Sequence, residues 1–216
     1  MNERWRLSAL LILKEENYRY SDSWTNIYDV GHVFHGHKLT FKEYRKTEQA
    51  YIDFIVAMFK YLHVRKVQLT NIVTYDHKPK AKYDKDGTLR AWHNKIWESK
   101  AKSMSLSLED LQYVVPLIVR ENMWGVFYHR GTRTYIHFGE YFYVYVNSPI
   151  FHRIGENEYI NPDFENLVTQ NGLFIEYEYN PVIFVLVCKD EDGKICRESI
   201  IRHDCENDPR RPIKDK

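Results

Sequence analysis

Trp124-Gly-Val-Phe-Tyr128, His129-Arg-Gly131 and Thr132-Arg-Thr-Tyr-Ile-His-Phe138 form the stretch that decides the fold. Two runs rich in aromatic and β-branched residues flank a short loop containing glycine, the pattern of a β-hairpin. Gly139-Glu140 then leads into Tyr141-Phe-Tyr-Val-Tyr-Val-Asn147. Side chains alternate between the two faces of a strand. The third run is therefore predicted to set Tyr141, Tyr143 and Tyr145 on one face and Phe142, Val144 and Val146 on the other, against the core.

On the N-terminal side, the run from Trp5 to Lys14 reads as a strand, and Leu10 to Leu13 is apolar throughout, as in a strand covered on both faces. Tyr18 to Asp29 reads as a polar and aromatic loop. Thr40 followed by Glu43 is a capping box, with Leu39 placed as a staple. A long helix is predicted from Phe41 to about Leu62, because Tyr44, Ala50, Tyr51, Phe54, Ile55, Met58, Phe59 and Leu62 recur at steps of three and four. Val64 to Tyr75 reads as a strand. Residues 76–104 hold eight Lys and Arg against four Asp and Glu, and read as a loop with a short helix near Trp92 to Trp97. Ser105 or Ser107 is expected to cap a further helix through about Asn122, which Pro116 should kink or split.

On the C-terminal side, Asn161-Pro162 starts a helix through Thr169, stopped by Asn171-Gly172. Leu173 to Tyr179 is a strand. Ile183 to Lys189 and Lys194 to Ile201 flank Asp190-Glu-Asp-Gly193, a second hairpin signal. The expected architecture is a single α+β domain over residues 1–203. It has a mainly antiparallel sheet, a long helix in the N-terminal half, and further helices packed on one face. The charged segment 204–216 is expected to be a flexible tail.

Composition narrows the function classes. The chain has 216 residues, 17 of them Tyr, enough apolar and aromatic content for one sizeable core. With 31 basic and 30 acidic residues the net charge is +1, so no overall field draws in nucleic acid or an anionic membrane. No apolar run approaches the roughly 20 residues that span a bilayer, and the start does not read as a signal peptide. A cytoplasmic location and no membrane partner are expected. The spacings of Cys188, Cys196 and Cys205 match no zinc signature. Cys188 and Cys196 flank a turn, and whether they pair is left open.

Three groups of residues invite a chemical reading. His32, His35 and His37 are three imidazoles within six residues, but no fourth ligand or general base accompanies them. Exposed histidines on a loop are the simpler reading, so no metal is expected. His129 and His137 lie on neighbouring hairpin strands and, with Glu140, would suit a histidine-dependent hydrolase. A two-histidine phosphoesterase needs a hydroxyl two residues after each histidine, and Gly131 and Gly139 stand there instead. Residues 78–102 interleave Lys and Arg with Tyr83, Trp92 and Trp97, which would suit a module for single-stranded nucleic acid. Nucleotide-binding glycine motifs and nucleophile elbows are absent from the sequence. No cofactor is expected.

Several stretches also carry a resemblance when taken in order. They are Asp22-Ser-Trp24, Asp29-Val-Gly31 with Phe34 and Gly36, Leu39 to Tyr44 with Glu48, and Ala50-Tyr-Ile52. Arg120-Glu-Asn-Met-Trp124, Tyr135 to Gly139 with Tyr141 to Tyr145, and Gly172-Leu-Phe-Ile-Glu176 follow. This set, within residues 5–178, resembles immunity proteins of bacterial polymorphic toxin systems, including contact-dependent growth inhibition. The resemblance implies a small cytoplasmic protein that is not an enzyme. It would bind the C-terminal effector domain of a cognate toxin and neutralise it stoichiometrically. Inhibitors of nuclease effectors often present acidic surfaces, and the near-zero net charge here departs from that. The basic 76–104 segment and the C-terminal hairpin also look like additions to the pattern.

Tyrosine offers area and a polar tip at low entropic cost, so the Tyr141, Tyr143, Tyr145 stripe is the first candidate contact surface. Trp24 and Asp22, in the 22–29 loop, are the second. The oligomeric state is left open.

Overall fold

The computed structural model describes residues 2–7, 10–16, 23–139, 142–153, 159–176, 183–189 and 195–202. In chain order the first elements are β1 (Asn2–Leu7), β2 (Leu10–Leu13), a 3-10 turn (Ile27–Asp29), β3 (Val33–Phe34), β4 (His37–Lys38) and α1 (Phe41–Tyr61). Next come β5 (Lys66–Thr74), a second 3-10 turn (Ala81–Tyr83), α2 (Thr88–Ser99), β6 (Ser103–Ser107), α3 (Leu111–Val119), β7 (Met123–His129), β8 (Thr134–Phe138) and β9 (Val144–Asn147). The chain continues through β10 (His152–Arg153), β11 (Tyr159–Ile160), α4 (Pro162–Gln170), β12 (Phe174–Glu176), β13 (Ile183–Lys189) and β14 (Ile195–Arg202). This is an α+β fold around a seven-stranded sheet of order β12-β2-β9-β8-β7-β5-β6, with every neighbouring pair antiparallel.

The helix α1 begins where the sequence says it should. The Thr40 hydroxyl accepts from the Glu43 N–H, and the Glu43 carboxylate accepts from the Thr40 N–H and hydroxyl at 2.8 and 2.7 Å. Its inward face, Tyr44, Tyr51, Phe54, Ile55, Met58 and Phe59, is fully buried. Each such side chain contributes roughly 1.5–3 kcal/mol of transfer free energy. This face meets Leu69, Phe127, Ile136, Val146 and Leu10, which the register sets in one row across the sheet. The α3 and α4 helices pack beside α1, and α2 packs on α3. Asn161 caps α4, Pro162 is its first residue, and Gly172 follows at φ 70°, a left-handed conformation that favours glycine.

The opposite face of the sheet is closed as well. Leu11, Tyr145, His137 and Val126 form the complementary row, and all four are buried. The strands β1, β13 and β14 make a separate three-stranded sheet, and β14 lies against β5. Among the described residues no helix is long and apolar enough to cross a membrane.

The structure departs from the sequence reading in four places. The expected strand over residues 5–14 is two strands in two sheets: β1 pairs with β13, and β2 is inserted between β12 and β9. Residues 103–107 form the edge strand β6 rather than a helix start. The helix α3 begins only at Leu111, after Ser107 and Asp110 have bonded each other reciprocally, and it runs through Pro116. The helix near Trp92 is longer than expected, because the Asp84 carboxylate accepts from the Leu89 and Arg90 N–H groups and caps α2. In the C-terminal hairpin Cys188 pairs with Arg197, not Cys196, at an irregularity in the register.

Candidate partner-binding site

The tyrosine stripe does not present a surface. Tyr143 and Tyr145 are 1% and 0% exposed, and Tyr145 packs on His137 with ring centroids 4.5 Å apart. The alternation holds within β9, where Val144 and Val146 face the helices and Tyr145 the other side, but the far face of the sheet is covered too, so the polar-looking side of the strand is interior. A Cβ on Gly139 would lie 1.9 Å from the Tyr143 ring, which shows how closely Tyr143 is held. Tyr141 lies outside the described residues.

Trp24 is half-buried and works as packing. Its ring meets Tyr44 at 5.6 Å and Phe142 at 5.0 Å, and the Lys14 ammonium stands 4.1 Å over it. Burial lowers the Lys14 pKa, against the opposing charge of Glu15. Asp22 lies outside the described residues.

The three histidines do not converge on one point. His35 at φ 49° and Gly36 at φ 80° form the turn of the small β3–β4 hairpin. His37 Nε2 bonds Glu43 at 2.7 Å, while His32 stands 3.9 Å from Asp29. Among the described residues no group of three or more potential ligands gathers to hold a metal ion.

The hydrolase geometry also fails. His137 pairs with Val126 and His129 with Thr134, so the two imidazoles stand on opposite faces of the hairpin. His137 is buried and His129 bonds Thr132 at 2.9 Å. Glu140 lies outside the described residues.

In the basic segment, ammonium groups cover aromatic rings: Lys80 over Tyr28 at 4.0 Å, Lys82 over Tyr83 at 4.4 Å and Lys95 over Trp92 at 4.2 Å. Trp92 itself stacks on Tyr113. Of its tryptophans only Trp97 is exposed.

An open cleft of about 430 Å³ does lie beside the 22–29 loop. Thr25 and Asn26 form one wall, Tyr75 and His77 another, Glu121 and Trp124 a third, and Phe138 and Gly139 close it. Local bonds tie these walls together. The Asp29 carboxylate accepts from the Thr25 and Asn26 N–H groups at 2.7 and 3.2 Å, and Asn26 caps the 3-10 turn. The Tyr75 and His77 rings are stacked at 5.5 Å. His77 Nε2 bonds the Glu121 carbonyl, and the Asn122 side chain donates to the His77 carbonyl at 3.2 Å.

Glu121 is the unusual residue in the cleft. The α3 helix ends in paired bonds from Asn122 N–H to Leu117 O and from Glu121 N–H to Ile118 O, at 2.8 and 2.9 Å. In that motif the residue after the cap is left-handed and is usually glycine. Here it is glutamate at φ 58°. The chain keeps a carboxylate at the cleft at a conformational cost of about 1 kcal/mol. Its charge, after burial, helps raise the Tyr28 phenol pKa.

Sequence reasoning missed Tyr75 and His77, which it read as the end of a strand and the start of a loop. It also missed the buried pair Glu48–Arg120, which links α1 to the end of α3. One signal for that pair was present: a glutamate at the helical spacing of the apolar face. No protein-family model, no curated protein and no solved structure matches the chain.

Proposed function

We propose that the chain acts by binding a protein partner, as an immunity protein that neutralises the effector domain of a cognate toxin in the cytoplasm. The observation that carries this reading is where the family-like stretches go. Glu121, Met123, Trp124, Phe138 and Gly139 belong to them, and with Thr25 and Asn26, next to Trp24, they line one cleft. Residues distant in sequence are joined behind it. Glu48 meets Arg120, and the Tyr51 hydroxyl donates to the Phe142 carbonyl at 3.0 Å. A preorganised concave surface with aromatic walls and one carboxylate suits a projecting loop of a partner, whose burial would occlude the effector.

The test starts with tagged chain as bait in an extract of its source cells, and mass spectrometry of what it retains. The expected partner is the C-terminal part of a large secreted or surface protein, toxic when expressed alone and harmless when co-expressed with this chain. Glu121→Gly then separates the roles. It should hold or raise the melting temperature, because glycine relieves the left-handed strain, while weakening effector binding about tenfold or more. A variant that protects cells and binds as well as the parent removes the cleft from the mechanism. Retention of single-stranded oligonucleotides with steep salt dependence, and of no effector, overturns the immunity reading.

A further inference from the structure

The ladder between β5 and β6 runs out before β5 does. Its last register pair is Thr70↔Ser103, and beyond it the Ile72 N–H donates to the Lys102 carbonyl at 3.2 Å. On its other side β5 continues along β7 through Val73↔Trp124 and Thr74↔Met123, and the Tyr75 N–H donates to the Asn122 carbonyl at 3.1 Å. Backbone groups alternate from side to side along an antiparallel strand. Tyr75 and Val73 therefore turn theirs towards β7. Thr74 turns its N–H and C=O the other way, past the end of β6.

A shallow groove of about 520 Å³ lies along that stretch of edge. Ile72, Val73 and Thr74 form one wall, and Ile96, Trp97 and the turn from Lys100 to Lys102 form the other. The turn is set locally. The Ser99 hydroxyl donates to the Ile96 carbonyl at 2.7 Å and accepts from the Ala101 N–H at 3.2 Å, and the Lys100 N–H caps α2 on the Trp97 carbonyl. Ile72 and Ile96 are buried, whereas Val73 and Trp97 are 46% and 43% exposed, large for apolar side chains. Lys100 and Lys102 are exposed, and no Asp or Glu lines the groove. Among the described residues neither ammonium group stands in an ion pair.

Three features converge here: main-chain groups of Thr74 at an open sheet edge, an exposed tryptophan beside an exposed valine, and two cations without counter-charge. Tryptophan is enriched among the residues that dominate binding. An extended acidic segment answers all three. In strand addition the main chain supplies affinity and the alternate side chains supply specificity. We propose that this groove binds an extended acidic and apolar segment of a protein partner. The segment adds to the edge of β5 at Thr74, covers Trp97 and Val73 with its apolar side chains, and pairs its carboxylates with Lys100 and Lys102. The groove and the cleft share no residue, so this site stands or falls apart from the immunity reading.

The probe is a short labelled peptide alternating glutamate and leucine, blocked at both ends, titrated with the full chain and followed by fluorescence anisotropy. Saturable binding with a dissociation constant below about 1 mM is expected. Lys100→Glu with Lys102→Glu should weaken it at least about tenfold, and a peptide with lysine in place of glutamate should bind that variant and not the parent. Trp97→Ala should weaken it by a similar factor. The original peptide N-methylated at its leucines cannot donate main-chain hydrogen bonds there and should lose binding, which reads the strand addition without any change to the protein. No saturation, equal binding of a peptide with serine in place of leucine, or indifference to the charge reversal overturns the proposal. So does binding of a single-stranded oligothymidylate with the peptide unbound, or self-association that the two lysine reversals abolish, since either assigns the groove to another occupant.

Discussion

Glu48 and Arg120 show how one residue pair can hold distant segments. Arg120 Nε and Nη2 donate to the two Glu48 carboxylate oxygens at 2.7 and 2.8 Å, and Nη1 donates to the Tyr83 carbonyl at 2.9 Å. Arg45 also donates to Glu48 from the helix rim. Both partners are buried, so neither can recover its lost hydration from water. Burial opposes the Arg120 charge, and the Glu48 hydrogen bonds and charge outweigh it, raising the guanidinium pKa. Breaking such a pair leaves an uncompensated interior charge, whereas replacing both partners with apolar groups does not. Arg45 still bonds Glu48, so Arg120→Met should cost less than the roughly 3–5 kcal/mol of a wholly unpaired interior charge, and Glu48→Leu with Arg120→Met should recover much of that loss, read from urea midpoints. Equal losses in the single and double variants would mean that the pair contributes by packing alone.

At the scale of the element, α1 was the most legible part of the chain, and its cap is testable by pH. The hydrogen bonds from the Thr40 hydroxyl, then the Thr40 N–H, then His37, hold the Glu43 carboxyl down to about 2 from its ordinary 4.5. The folded value is the lower one, so this contribution is fully present above about pH 5 and is lost as the pH falls through about 2. The melting-temperature gap between the parent and Glu43→Gln should be constant near neutrality and close as the pH approaches 2. A gap independent of pH would show that the carboxylate charge plays no part. Thr40→Ala should cost about 1 kcal/mol at neutral pH. The strand 144–147 was legible in its alternation but not in its exposure. Period-two alternation sorts residues into two faces without saying whether one is wet. Only the second covering layer made Tyr143 and Tyr145 interior.

At the scale of the molecule, the chain closes on its own beginning. The strand β2 enters the large sheet between β9 and β12, partners from the far half of the chain. Removing residues 1–13 would strip β12 of its partner and expose the inner edge of β9. Loss of a cooperative thermal transition is expected, followed by circular dichroism. A truncated chain that still melts sharply would show that β2 is dispensable. Pairings so far apart in sequence must close long loops before they are rewarded, which slows folding.

Local rules decided what was readable. Caps, turn glycines and residue periodicity act within a few positions, so the sequence alone determined the α+β class, the start of α1, the limits of α4 and the two hairpins. The split of the first strand, the burial of both sheet faces, the Glu48–Arg120 pair and the cleft around Glu121 depend on segments far apart in the chain. Their energies come from desolvation and packing between elements, which no local pattern encodes. The placement of His129 and His137 on opposite faces of the sheet follows from the pairing register of the hairpin itself, not from residue spacing read along the sequence. Packing between distant segments made Trp24 an interior contact beside a cleft whose other walls the sequence had kept apart.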